Sequence, residues 1–398
     1  MLGVVRARGR ARLNPFGCVL KIVLGTQIAL VPGVLAALRR FCPPCCPNPN
    51  CAFHGCSRGW RYRRAGSFQR MRAPRTVPRF QCSHCGRSFS SQTFSTTYWL
   101  KRPDLLRHTW DALLACAGYR QIARIQQCSP TTVMAHAERL GRHALLFLEK
   151  HRPKSAPTEP VVVDGFESFE FSQFHPLHLN LAMGAHTHFF YAFTDAELRR
   201  KGRMTSAQKR KRLRLETRFG RPDPRAIEHS MAALLNLVAP PGSQIEIRSD
   251  EHPAYPKAWR RVPRVEVRHA VTPSKRARTA RNPLFPVNRA DLWLRHSGAN
   301  HKRETIAFSK RRASVVERCA ILGVYLSYQK SFSEKKQDAT PAQRLGITSA
   351  KLPTPEILAT RLFASQIPLP TPWQRYYRRD VVTRCIPNGK RHRLLYAY

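Results

Sequence analysis

Pro160-Val-Val-Val-Asp164 is a run of β-branched residues that ends in a carboxylate. Such a run is typical of a strand buried on both faces. Two further strand patterns follow, His178-Leu-Asn-Leu-Ala-Met183 and His188-Phe-Phe-Tyr-Ala-Phe193. A helix is then predicted over residues 223–238, because an Asp cap and a Pro precede apolar residues at helical spacing. Gln244-Ile-Glu-Ile-Arg-Ser-Asp250 is a fourth strand that also ends in a carboxylate.

Three strands, a helix and a fourth strand are the order of elements in the RNase H-like fold, where strands one and four are neighbours. Asp164 and Asp250 are therefore expected side by side. Adjacent carboxylates repel each other, and a pair of Mg²⁺ ions makes the arrangement favourable. Such ions activate a water or a 3′-hydroxyl and stabilise the leaving oxygen in phosphoryl transfer. Taken alone, however, strand-terminal aspartates more often cap a strand or pair with a nearby arginine.

Cysteines are concentrated upstream of these strands. Of the twelve in the chain, six lie between Cys42 and Cys82, and Cys85 follows at CxxC spacing. Clustering of this kind in a basic chain indicates metal binding in a reducing compartment and not disulfide bonds. The sequence therefore predicts a zinc ribbon over residues 42–90.

The second pair of zinc ligands is sought among the residues upstream of the CxxC pair. We predict Cys46 and Cys51, with Cys42 and Cys45 as the alternative pair, and the less favoured candidates are His54 and Cys56. Four thiolates leave zinc no open coordination position. The zinc is therefore expected to be structural.

Residues 117–136 have the layout of a helix-turn-helix. Ser129 is placed to cap the second helix, and Pro130 suits its first position because no amide hydrogen is needed there. Val133 and Ala137 lie one turn apart and are expected to face the first helix. The residues then predicted to face outward and contact DNA are Thr131, Thr132, His136 and Arg139. An ordinary helical hairpin is the alternative.

The composition favours a polyanionic partner. Lys and Arg number 69 and Asp and Glu 24, which gives a formal net charge of +45. Nucleic acid fits this charge best, because each neutralised phosphate releases condensed counterions. Residues 199–221 alone hold eleven Lys and Arg and one acid. Lys209 and Arg210 within them are predicted DNA contacts, although a solvated helix face is an equal alternative.

The overall prediction is a multidomain α/β protein with an RNase H-like mixed sheet. The predicted divisions are an N-terminal extension 1–41, the zinc ribbon 42–90, a helix-turn-helix domain 103–150, a linker 151–160, a catalytic domain 160–335 with a basic helical insertion 195–222, and a basic tail 336–398. The apolar stretch within the extension is interrupted by Lys21, Gln27 and Pro32, so no membrane association is predicted.

The chain resembles bacterial insertion-sequence transposases of the DDE type. Besides the ribbon and the helix-turn-helix, the resemblance is carried by Val162-Val-Asp-Gly-Phe166, Ile247-Arg-Ser-Asp-Glu251 and Arg303-Glu-Thr-Ile-Ala-Phe-Ser-Lys310. Together these span about residues 42–335. The resemblance implies cutting and joining of element ends with Mg²⁺ or Mn²⁺ and binding of double-stranded terminal repeats and target DNA. It further implies a homodimer or larger assembly on DNA and a cytoplasmic, nucleoid-associated location.

The third acid departs from that family's pattern. Measured back from Thr305-Ile-Ala-Phe-Ser309, the glutamate position falls on Asn288. Asp291 lies one helical turn further on, and Glu304 is another candidate. We predict Asp291, because a Mg²⁺ ligand is preferably charged.

This departure leaves a second function open. A catalytically inactive, domesticated DNA-binding protein would keep the ribbon and the helix-turn-helix without the chemistry. A zinc-dependent RNA-binding or assembly protein is a third hypothesis, which only the basic charge supports.

Overall fold

The computed structural model describes residues 41–302 and 304–387. Nearly all of the predicted extension, the last eleven residues of the predicted tail and Arg303 of the resemblance motif lie outside the described residues. Within the described ranges, no helix combines the length and the apolar character needed to cross a membrane.

A three-stranded antiparallel sheet forms the N-terminal part. Its strands lie in chain order, with Tyr62 opposite Cys82 and Phe80 opposite Phe89. The bounds are β1 (Tyr62–Gln69), β2 (Thr76–Cys82) and β3 (Ser88–Ser90), followed by a 3₁₀ turn at Ser91–Phe94. Buried Phe80, Phe89 and Phe94 pack with four buried cysteines into a small core of its own. The sheet is thus stabilised by the packing of these aromatic rings against the cysteines.

Three helices follow, namely α1 (Leu105–Leu114), α2 (Tyr119–Ile125) and α3 (Pro130–His151). The Ser129 side chain accepts a hydrogen bond from the Thr131 amide, and Pro130 occupies the first turn, as the cap prediction required. At 22 residues, α3 is longer than the second helix of a compact helix-turn-helix needs to be. Its C-terminal half is buried almost all round.

The central sheet has five strands in the order β6-β5-β4-β7-β8. Strands β4, β5 and β6 are antiparallel, whereas β7 is parallel to β4 and β8 is parallel to β7. The bounds are β4 (Val161–Phe169), β5 (Pro176–Gly184), β6 (Phe190–Glu197), β7 (Gln244–Ser249) and β8 (Glu266–Val271). A mixed α/β chain with a mixed sheet is confirmed. Because β4 and β7 are neighbours, the two strand-ending aspartates come together.

Helices cover both faces of this sheet. On one face, the Thr194 hydroxyl of β6 donates a hydrogen bond to the Ser230 carbonyl. The neighbouring Phe193 and Asp195 point to the opposite face. There they contact Arg312 and the C-terminal segment. The helices of this part of the chain are α4 (Ser206–Phe219), α5 (Ala226–Val238), α6 (Ala254–Arg260), α7 (Phe285–Ser297) and α8 (Arg312–Val324), the last continuing into a π-helical turn at Tyr325–Gln329. Of these, α4 has no buried residue and does not belong to the core.

The C-terminal segment, predicted only as a basic tail, is packed into the core. Three short helices, each with Pro in its first turn, are α9 (Pro341–Arg344), α10 (Thr354–Ile357) and α11 (Thr371–Arg378). Trp373 is fully buried and its indole N–H donates to the Phe193 carbonyl at 2.9 Å. The Tyr376 hydroxyl donates to Asp195 Oδ1 at 2.6 Å. These partners lie about 180 residues upstream, so no local periodicity announced them.

Residues 151–160, predicted to be a linker, also contact the rest of the protein. The Glu159 carboxylate is buried and accepts hydrogen bonds from the amides of His186 and Thr187 at 2.6 and 2.9 Å. A single hydrophobic core runs from Leu106 to Val381. The three-helix segment and the central sheet therefore share one core, and the predicted boundary at 150 does not mark a break in packing.

Candidate carboxylate site and cysteine cluster

Three aspartates on separate elements converge at one end of the central sheet. Asp164 lies within β4 and Asp250 directly follows β7. The parallel register pairs Val161 with Ile247 and Val162 with Arg248, so the two aspartates stand at matching heights on adjacent strands. Asp291 reaches the same region from α7, which packs on β4 and β5.

Electrostatics show that these carboxylates act on one another. Burial raises the pKa of Asp164 to about 6, and the Asp250 carboxylate adds to the rise, although the Gly165 amide opposes it. Burial, reinforced by Asp164, raises the pKa of Asp291 to about 8. Asp291 Oδ1 is enclosed and has no hydrogen-bond partner among the described residues. An unpaired buried carboxylate is costly unless a cation joins it, so the donor set fits a hard dication.

The three aspartates are spaced more widely than the cysteines described below. Among the described residues, only the four clustered cysteines form a set of three or more ligand atoms all within 4.8 Å of one another.

Tyr255 is a site residue that the sequence analysis missed. It is buried on α6, and its hydroxyl lies 3.5 Å from Asp164 Oδ1. Burial raises the pKa of Tyr255, and the charges of Asp164, Asp250 and Asp291 raise it further. The hydroxyl therefore remains protonated between the three carboxylates. The available signal was its position five residues after Asp250, at the start of a helix.

Cations and imidazoles surround the aspartates. Arg278, in the exposed loop after β8, lowers the pKa of both Asp164 and Asp291 by its charge. The His252 amide donates to Asp250 Oδ1 at 3.0 Å, which orients that carboxylate. The His178 ring lies directly over Gly165, where any Cβ would stand within 2 Å of ring atoms. Glycine beside Asp164 is thus needed for the close approach of β5.

The two other candidates for the third acid are placed differently. Asn288 lies on α7 one turn before Asp291 and is half-buried. Glu304 is exposed, in a loop with φ of +45°. Of the three candidates, Asp291 is the one whose charge interacts with Asp164.

Four cysteines gather at the base of the three-stranded sheet. The Sγ atoms of Cys46 and Cys85 are 3.6 Å apart, and those of Cys51 and Cys82 are 4.0 Å apart. A zinc–sulfur bond of about 2.3 Å gives tetrahedral edges of about 3.8 Å, so the cluster has the dimensions of a four-thiolate zinc site. Burial raises the pKa of Cys82, but the Cys85 amide, the Trp60 indole N–H at 3.2 Å and the His84 amide outweigh it and lower the value to about 6.

The alternative ligands lie elsewhere. Gln366 donates to Cys45 Sγ at 3.1 Å, and Cys42 and Cys56 are exposed. His54 is held by the Cys46 carbonyl and the Ser365 hydroxyl, each at 2.7 Å. The geometry thus brings together the predicted set of Cys46, Cys51, Cys82 and Cys85.

The predicted outward position of two residues on α3, His136 and Arg139, is wrong. His136 is 2% exposed, and burial, helped by Arg139, lowers its pKa to about 4, so it is neutral. Arg139 is buried too and donates to the carbonyls of Thr96 and Tyr98 at 2.9 and 2.5 Å. For His136 the reason is helical spacing, since it lies three residues after the buried Val133 and shares its inward face.

The remaining predicted contacts are accessible. Thr131 is exposed and Thr132 half-buried at the start of α3. Lys209 and Arg210 are exposed on α4, a helix without a single buried residue. Glu216, the one acid of that helix, pairs with Arg199 at 2.7 Å, and most cations of the helix are exposed.

Comparisons with known proteins place the chain only loosely. No protein-family model matches it, and no curated protein does. Among solved structures, a chain of the simian T-cell lymphotropic virus intasome in complex with the PP2A regulatory subunit B56 gamma is similar. The match covers 60% of this chain and 72% of that chain, with 13% identity and a TM-score of 0.23. A likeness this distant carries no functional argument, so function has to be argued from the site itself.

Proposed function

We propose that the chain is a DDE-type transposase, which cleaves and joins DNA strands at the ends of an insertion sequence. The observation that carries the proposal is the convergence of Asp164, Asp250 and Asp291 from β4, β7 and α7 around an enclosed, unpaired carboxylate oxygen. The strand order β6-β5-β4-β7-β8, with only β7 and β8 parallel to β4, supports an RNase H-like domain.

The residues of the site divide the work of strand cleavage. Mg²⁺ or Mn²⁺ held by the three aspartates would supply Lewis-acid activation of the attacking water and stabilisation of the leaving oxygen. Gly165 donates its amide to Asp164 Oδ1 at 2.7 Å, which fixes that carboxylate. The attacking water loses a proton as its oxygen bonds to phosphorus, and the bond to the leaving 3′ oxygen breaks as that oxygen gains a proton.

DNA binding is supported by the charge around the site. The basic helix α4 follows β6, and the loop after β8 carries Lys275, Arg276, Arg278 and Arg281, all exposed. Exposed cations of this kind suit a duplex backbone, since phosphate contacts supply most of the sequence-independent affinity. In this proposal the cysteine cluster holds structural zinc, because four thiolates leave no position for chemistry.

The direct test is strand cleavage by the purified protein. DNA that includes the sequences flanking the gene is incubated with Mg²⁺, with Mn²⁺ or with a chelator, and nicks are mapped. Nicks at discrete positions, present only with the metal, are expected. Binding of the same DNA with no cleavage under either metal would instead identify the inactive, domesticated protein.

Mg²⁺ is expected to raise the melting temperature more at pH 8 than at pH 6. The pKa values of Asp164 and Asp291, about 6 and about 8, lie above the ordinary 3.8. The folded state therefore holds more protons than the unfolded state, and their stabilising contribution is complete below about pH 4 and is lost as pH rises through 6 and 8. Metal binding requires the deprotonated carboxylates and offsets this loss.

Differential scanning fluorimetry with and without Mg²⁺ measures this dependence. Asp291→Asn removes the group with the higher pKa and is expected to flatten the dependence between pH 6 and 8. An equal Mg²⁺ effect at both pH values in the unaltered protein would contradict the placement of the ions at these carboxylates.

A further inference from the structure

A cleft lies between the three-stranded sheet and the segment that leads from it to α1. It has a volume of about 540 Å³, within the range of sites that enclose small ligands. Its walls come from β1, β2 and β3 on one side and from residues 92–101 on the other. It is separate from the three aspartates, which line none of it.

The charge of the cleft is entirely positive. Arg70, Arg79, Arg87 and Lys101 line it, and no carboxylate does among the described residues. Arg70 donates to Gln92 Oε1 at 2.5 Å, which fixes one cation at the wall. Cations gathered in a concave site without counter-charge focus the field on an anion.

Aromatic rings stand beside these cations. Trp99 is 76% exposed, which is unusual for the largest apolar side chain. Phe68 is also exposed, and Tyr98 lies edge-on to Trp99 with 6.1 Å between ring centroids. Exposed rings interleaved with Arg and Lys are the pattern of surfaces that stack bases and hold phosphates.

The backbone holds Trp99 in place. Its φ of +62° lies in the left-handed region, which bulky residues rarely adopt. Such a conformation persists only where the surroundings fix it. Arg139, buried on α3, supplies that constraint by donating to the carbonyls of Thr96 and Tyr98. Arg139, which the sequence analysis expected to contact DNA directly, instead stabilises the segment that carries Trp99.

We propose that this cleft binds unpaired nucleotides of a DNA strand, with a base stacked on Trp99 and the phosphates held by Arg79 and Lys101. Paired bases are stacked on one another and offer no free face to the indole, whereas an unpaired base does. DNA is chosen over RNA on the strength of the proposed function. The cleft itself does not depend on the aspartates.

Binding is measured by fluorescence anisotropy with labelled oligothymidine of about eight nucleotides and with a blunt duplex, without metal. Trp99→Ala is expected to weaken oligothymidine binding roughly 5- to 100-fold, and Trp99→Phe to retain most of the affinity. Duplex affinity is expected to change less than about twofold, because groove and backbone contacts elsewhere are unaffected.

Charge is tested by a matched pair of double variants. Arg79→Ala with Lys101→Ala is expected to reduce the slope of log K against log salt for oligothymidine by about 1.4, at about 0.7 per lost contact. Lys335→Ala with Lys336→Ala removes two exposed charges outside the cleft and is expected to leave the slope unchanged.

Equal weakening of single-stranded and duplex binding by Trp99→Ala, or none, would overturn the proposal. Equal affinity for oligouridine of the same length would overturn the assignment to DNA. Asp164→Asn is expected to leave oligothymidine binding intact, so failure of the catalytic proposal and failure of this one are distinguishable.

Discussion

Asp164→Asn and Asp250→Asn are each expected to lower the rate of Mg²⁺-dependent strand cleavage by on the order of 1000-fold or more, since a metal ion supplies several kcal/mol of transition-state stabilisation. Asparagine keeps the shape of aspartate but not the charge that holds a dication. The rate is measured as nicks formed per unit time on DNA with the gene's flanking sequences. Activity that survives both substitutions would end the assignment of these residues as metal ligands.

The same electrostatics predict that Asp250→Asn keeps its fold. Without metal, Asp250 raises the pKa of Asp164 by repulsion, so neutralising Asp250 removes an unfavourable contact. The melting temperature of metal-free Asp250→Asn is therefore expected to equal or exceed that of the unaltered protein. Inactivity combined with undiminished stability separates a catalytic loss from a structural one.

The third ligand is tested by comparing its two acidic candidates. Asp291→Asn is expected to lower the cleavage rate as much as Asp164→Asn does. The enclosed Oδ1 of Asp291 has no hydrogen-bond partner among the described residues, and a bound cation would supply one. Glu304→Gln changes an exposed acid in a loop and serves as the matched control, with activity unchanged. If Glu304→Gln were inactive and Asp291→Asn active, the third ligand would be Glu304.

Strand patterns and cysteine spacing were predictable because both depend on neighbours in sequence. Pro160-Val-Val-Val-Asp164 and Gln244–Asp250 contain their own evidence for buried strands, and they are neighbours in the sheet as predicted. CxxC spacing fixes two ligands of one site within a turn. Spacing does not separate Cys46 and Cys51 from Cys42 and Cys45, because the latter pair is also a CxxC; the fold separates them.

Errors arose where the partner of a residue is distant. Arg139 was placed outward because the segment containing Thr96 and Tyr98, about 40 residues earlier, gave no sign that it would cover α3. Trp373 looked like part of a basic tail, since its hydrogen-bond partner on β6 lies 180 residues away. Tyr255 was missed for a related reason: only the fold brings it close enough to the three carboxylates for their charges to raise its pKa.

Cys82→Ser is expected to reduce zinc affinity by more than about 100-fold, because even outer-shell partners of metal ligands are worth about 10- to 100-fold. The chain is expected to carry one zinc, measured by mass spectrometry of metal content, and the variant is expected to lose it. Trp60→Phe removes the indole donor to Cys82 Sγ but no ligand, so an intermediate loss of about 10- to 100-fold is expected. Cys56→Ser, at an exposed cysteine outside the cluster, is the control and should retain the metal.

Loss of zinc should unfold the small core around the cysteines. Buried Phe363 packs in the same small core as the four cysteines, and Ser365 and Gln366 bond to His54 and Cys45. Structural zinc contributes on the order of 10 kcal/mol to folding in small ribbons, more than that aromatic core alone is expected to supply. Trypsin is therefore expected to cut Cys82→Ser at the arginines of β1 while the central sheet survives. A variant that kept both its zinc and its resistance to trypsin would show that Cys82 is not a ligand.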